Sequence, residues 1–118
     1  MPVAFRAETE RLDGDVSAVQ VYGELDQATV PQLTRALDSV IDEGTGALLV
    51  DLTDCSFIDS SGLAALVTAR ERVIADDTRQ FGLCCPDSQV RRLLEVTGLD
   101  EAMGVVATRD DALEVLRA

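Results

Sequence analysis

The run Ala47-Leu48-Leu49-Val50-Asp51-Leu52, followed after a bend by Asp59-Ser60-Ser61-Gly62, decides how this chain folds. A short and nearly all-apolar run is what a central strand buried on both faces requires. From Leu63 onward the period changes, and Leu63, Leu66, Val67, Val73 and Ile74 recur at helical spacing. A buried strand giving way to a helix marks a parallel sheet with crossover helices.

Reading outward confirms the alternation. Upstream, Val30, Leu33, Leu37, Val40 and Ile41 predict a helix closed by Gly44 and Gly46. Its start, Thr29-Val30-Pro31-Gln32, fits a capping box: Thr29 is the N-cap, Gln32 reaches back, and Pro31 is tolerated in the first turn. Before it, Phe5, Ala7 and Thr9 alternate with polar residues, Asp13-Gly14-Asp15 makes a turn, and Val16 to Tyr22 reads as a strand. The chain therefore opens with a β-hairpin.

Downstream, Phe81 to Cys85 is the next strand, and Pro86 opens a helix with Val90, Leu93 and Leu94 inward and Gly98 as its stop. Met103 to Ala107 predicts a last strand, and Thr108 caps a terminal helix burying Ala112, Leu113 and Leu116. The expectation is an α/β fold: an N-terminal β-hairpin, then alternating helices and strands, giving a mostly parallel central sheet with helices packed against it. At 118 residues, without repeats or low-complexity linkers, residues 1–118 are expected to form one domain.

Composition excludes several functions. There is no histidine, so Ser-His-Asp and Cys-His machinery is absent from the chain. Neither a G-x-x-x-x-G-K-[ST] loop nor a G-x-G-x-x-G fingerprint occurs, and no cofactor is expected; the chain is read as a non-enzyme. Ten basic residues, all arginine, stand against 22 acidic ones for a net charge of −12. Such a surface repels nucleic-acid backbones and anionic head groups, and favours a protein partner with a basic face. No apolar run is long enough to insert in a membrane, and a cytoplasmic location is expected. Cys55, Cys84 and Cys85 form no C-x-x-C pair and read as small core hydrophobes in a reducing compartment. With Phe5, Tyr22, Phe57 and Phe81 the only aromatics, the core must be aliphatic.

Two segments could carry chemistry: Gly23-Glu24-Leu25-Asp26 and Asp59-Ser60-Ser61-Gly62. Both follow strands, and loops after parallel strands gather at one sheet edge, where sites form. Asp59 or Ser60 reads in one way as an ordinary helix N-cap. In another, Ser60 is a phosphoacceptor, because free N–H groups and the helix dipole favour negative charge there. Asp26 reads equally as a turn residue or a site residue, and Gly23 as a residue permitting a bend.

At these segments the chain resembles the anti-sigma factor antagonists, which are built on the STAS domain named for sulphate transporters and anti-sigma antagonists. The resemblance rests on Gly23-Glu24-Leu25-Asp26, on Asp51-Leu52 leading to Ser56-Phe57-Ile58-Asp59-Ser60-Ser61-Gly62-Leu63, and on Val90-Arg91-Arg92-Leu93-Leu94 with Thr97-Gly98-Leu99. It covers nearly the whole chain in order. Its one mild departure is Cys55, where an aliphatic residue is expected.

The resemblance implies a STAS fold and a small regulator that, unphosphorylated, binds an anti-sigma factor and so frees a sigma factor. The anti-sigma factor is usually also a serine kinase whose phosphorylation of the antagonist ends the complex; a serine phosphatase resets it. Carried over, the phosphoacceptor falls on Ser60, and Asp26 on the acidic residue beside it. Asp59 flanks the acceptor, and Ser61, Gly62 and Leu63 fall on the helix start of the docking surface. The alternative within the fold is a non-switching STAS adaptor, such as a cytosolic subunit of a lipid-transport ATPase complex. A receiver domain phosphorylated on aspartate is disfavoured by the missing lysine.

Overall fold

The computed structural model describes residues 4–117. Strands β1 (Arg6–Leu12) and β2 (Val16–Leu25) form the expected antiparallel hairpin, in register from Arg6 opposite Tyr22 to Leu12 opposite Val16. Helix α1 (Val30–Glu43) crosses over to β3 (Ala47–Ile58), which pairs parallel with β2. Helix α2 (Ser60–Ile74) crosses to β4 (Phe81–Cys84), parallel to β3, so the sheet runs β1-β2-β3-β4. Helices α3 (Gln89–Val96), α4 (Leu99–Ala102) and α5 (Arg109–Arg117) follow.

The two-residue period of the strands divides the core. Val19, Val21, Leu48 and Val50 face Leu33 and Leu37 of α1, Leu66 and Val73 of α2, and Val90 and Leu94 of α3. The alternate residues Val16, Ala18, Ala47 and Leu49 face the other way and pack with Cys84 against Ala112 and Leu116 of α5. All three cysteines are free and buried, as small hydrophobes in the core are.

Beside α5 this second face turns polar. Asp51 is only 3% exposed, yet charged. Arg109 Nε donates to its carboxylate at 2.9 Å, while the same guanidinium reaches Gln20 at 3.1 Å and Glu10 at 3.2 Å. Burial pushes the Asp51 carboxyl up, but hydrogen bonds from the Thr53 hydroxyl and amide, then from Arg109, outweigh it and hold the group below its ordinary value.

Four local expectations change. β3 continues past Leu52 to Ile58 instead of bending, because two register shifts against β2 absorb an extra residue each and keep pairing through the polar stretch. Thr29 occupies the position before α1, but its backbone is helical and it makes no capping bond; the box does not form. Its hydroxyl turns back to donate to the Glu24 carbonyl at 2.9 Å. α3 starts at Gln89 rather than Pro86, because the Ser88 hydroxyl accepts the Arg91 amide at 3.1 Å. Met103 to Ala107 makes only an isolated bridge, Val106 to Cys84, after the short α4.

Candidate functional site

Strands β2 and β3 end together, with Leu25 opposite Ile58. Parallel neighbours that stop at the same level deliver their following loops to the same place, so Asp26–Thr29 and Asp59–Leu63 emerge side by side. The Asp59 amide donates to the Leu25 carbonyl at 3.2 Å and fixes that juxtaposition. The ends of the two segments singled out in the sequence, Asp26 and Asp59, thus lie side by side.

Asp59 is the N-cap of α2: its backbone is extended, and Oδ1 accepts the Gly62 amide at 3.0 Å. Its Oδ2 accepts the Gln27 amide from the other segment at 3.2 Å. With the cap role taken by Asp59, Ser60 becomes the first residue of the helix and is exposed. Ser61 and Leu63 are half-buried, and Leu63 packs onto the main core.

Gly62 is buried because nothing larger fits. A β-carbon there would lie 2.8 Å from both Ile58 Cγ1 and Leu25 Cγ, closer than van der Waals contact permits. Its missing side chain lets the first turn of α2 sit directly on the two strand ends. Gly23, buried within β2, has φ +87°, a backbone that glycine adopts without strain, beside the second register shift against β3.

Asp26 is half-buried, and its Oδ1 accepts the Ala28 amide at 3.0 Å and the Thr29 amide at 3.1 Å. It organises the turn and also lines, with Gln27, Ala28 and Asp59, a shallow open depression. Among the described residues no arginine lies within ion-pair distance of Asp26 or Asp59. The site therefore offers an accessible hydroxyl at the positive end of a helix, with two neighbouring carboxylates satisfied only by amide and hydroxyl groups. It can accept a group on Ser60 and change its charge strongly in doing so.

Two participants escape sequence reading. Gln27 enters through its backbone N–H, which no side-chain pattern can mark. Phe57 is 44% exposed, large and apolar, and borders a groove with Ile58, Gln89, Val90 and Leu93. Its signal was an aromatic amid the polar residues that lead to Ser60.

No described helix is long and apolar enough to cross a membrane. A family model described as the STAS domain matches residues 6–112. The chain is 30% identical over 102 residues to the anti-sigma-F factor antagonist RsfB of Mycobacterium tuberculosis, covering 86% of this chain and 82% of that one. It is 37% identical over 87 residues to the anti-sigma-B factor antagonist of Staphylococcus aureus, covering 74% of this chain and 80% of the other. The crystal structure of an anti-sigma factor antagonist from Mycobacterium paratuberculosis superposes with a TM-score of 0.90 at 34% identity, covering 98% and 96% of the two chains. With that match spanning both strand ends and the α2 start, the chain belongs to the STAS domain family and groups with its anti-sigma factor antagonists.

Proposed function

We propose that this protein is an anti-sigma factor antagonist switched by phosphorylation of Ser60. Unphosphorylated, it docks through the α2 start and the Asp26–Thr29 loop on an anti-sigma factor that is also a serine kinase. Phosphate on Ser60 ends that complex, and a serine phosphatase restores it.

The observation that carries this reading is the exposed Ser60 hydroxyl at the first position of α2, beside carboxylates that no arginine among the described residues neutralises. Phosphorylation adds about −1.5 to −2 charges. The helix N-terminus tolerates the group. A partner surface shaped for a neutral hydroxyl next to Asp59 and Asp26 does not, because the added charge is uncompensated. The net charge of −12 makes a basic partner face the natural complement. The exposed Phe57 supplies apolar contact at the same edge.

Purified protein and Ser60→Ala are incubated with ATP, Mg²⁺ and lysate from the source cells, and intact mass is followed by site mapping. A single phosphate on Ser60, absent from the variant, is the expected result. No phosphate alongside an active control kinase would move the reading to a constitutive STAS adaptor. Ser60→Ala should bind the isolated partner yet resist release. Ser60→Asp should bind about tenfold more weakly in calorimetry, roughly the effect of 1.4 kcal/mol. Equal affinities would count against the charge mechanism.

A further inference from the structure

Asp59 does more than cap a helix. Capping α2 needs one acceptor oxygen, and serine, threonine or asparagine supplies it as well as aspartate. Here both carboxylate oxygens are engaged, and by different segments: Oδ1 by the Gly62 amide at 3.0 Å, Oδ2 by the Gln27 amide at 3.2 Å. The main chain of the same residue donates to Leu25 at 3.2 Å and accepts from Leu63 at 3.0 Å. A carboxylate gives each of these two N–H donors an oxygen of its own; asparagine offers one oxygen and, while that oxygen holds Gly62, sets its NH₂ against the other donor.

We propose that Asp59 is a positioning residue that locks the Gln27 loop to the first turn of α2, so that Ser60 and the loop are presented as one surface. The deduction rests on the switch proposed above, since it concerns how the acceptor is presented. The α2 start cannot shift on its own, because Gly62 lies directly against Leu25 and Ile58. The loop is the less enclosed of the pair: Gln27 and Ala28 are exposed. Without the second oxygen the loop leaves its place beside Ser60, and an enzyme or partner gripping both meets only half of its surface. Recognition weakens, while transfer to the hydroxyl, once bound, is unchanged.

The test compares wild type, Asp59→Asn and Ser60→Ala by amide hydrogen exchange and by phosphorylation in source-cell lysate with ATP and Mg²⁺. In Asp59→Asn the shorter bond to Gly62 is kept, and the Gln27 amide should exchange about tenfold faster or more, the loss of one hydrogen bond to a charged acceptor. Phosphate incorporation at Ser60 should fall about tenfold at low protein concentration and recover at saturation, a KM effect with kcat retained. A Gln27 amide as protected as in wild type overturns the lock. A released Gln27 with unaltered phosphorylation overturns the positioning role. Wild type that takes no phosphate, beside an active control kinase, overturns the switch and the positioning role together, whereas a failure confined to Asp59→Asn overturns positioning alone. Should Asp59→Asn not fold, Gln27→Pro removes the donor and breaks the same contact from the loop side.

Discussion

Asp51 lies within β3 and Asp59 just beyond its end, and the two carboxylates are handled in opposite ways. Asp51 is buried and paired with Arg109, whose guanidinium also gathers Gln20 and Glu10. Asp59 is half-buried, holds two backbone amides and, among the described residues, has no arginine within ion-pair distance. A charge removed from water needs a counter-charge or it becomes intolerable. A charge at the rim needs none, and leaving it uncompensated makes the rim responsive to any further negative group. One aspartate thus ties α5 to the sheet, while the other leaves an edge on which added charge has its full effect.

Removing Asp51 should give the largest effect on stability. Asp51→Ala strands the Arg109 guanidinium and should lower the unfolding free energy by about 3 kcal/mol in urea titrations, the typical cost of breaking a buried pair. Unaltered stability would sink the contrast between the two carboxylates. The same pair sets an acid limit. Because the folded Asp51 carboxyl lies below its ordinary value of 3.8, its contribution is complete above that value and disappears as the pH falls through the folded-state value. Asp51→Asn should therefore be less stable near neutrality but lose less stability than wild type as the pH falls below 3.8. Parallel stability curves would contradict the assignment.

At the rim, geometry gives a smaller but sharper test. Gly62→Ala places a methyl group 2.8 Å from Leu25 and Ile58 carbons, and should cost about 2 kcal/mol through overpacking. It should also displace the α2 start and weaken partner binding, where Asp51→Asn leaves binding intact. An alanine variant of wild-type stability and affinity would show that the close approach is not needed. Smallest is Asp26→Asn, which retains one acceptor oxygen for the Ala28 and Thr29 amides and should change stability by about 1 kcal/mol or less while altering partner affinity. Unfolding instead would make Asp26 a purely structural turn residue.

The thiols extend the contrast inward. Burial pushes Cys55 up to about 11, and burial together with the Asp51 carboxylate pushes Cys84 up to about 12. Thiols of that kind are scarcely ionised near neutrality; burial pushes Cys85 up as well, and all three side chains pack inside the fold.

Much of this architecture was legible in linear order. The apolar run at Ala47–Leu52, the helical spacing from Leu63 to Ile74 and the opening alternation each report a local period, and periods survive without knowledge of partners. The start of α2 at Asp59-Ser60 was legible too, since cap-type residues before an apolar helix mark its start. Where reading failed, distance along the chain was the cause. Thr29 matched a capping box, but the strand end drew its hydroxyl to Glu24. The stretch from Thr53 to Ile58 looked like a bend, yet β2 was long enough to pair with it through two register shifts. Met103 to Ala107 had strand composition but found an edge that accepts only a bridge at Val106.

The sequence by itself determined the order of elements from β1 to α3, the two faces of the core and the start of α2 near Asp59-Ser60, because side-chain period and capping chemistry act over a few residues. Only the tertiary structure decided that Arg109 neutralises Asp51, that Gln27 meets Asp59 and that Gly62 has no room for a methyl group. Those contacts join residues far apart in sequence, and their geometry is set by parallel register and helix packing, which no local pattern encodes.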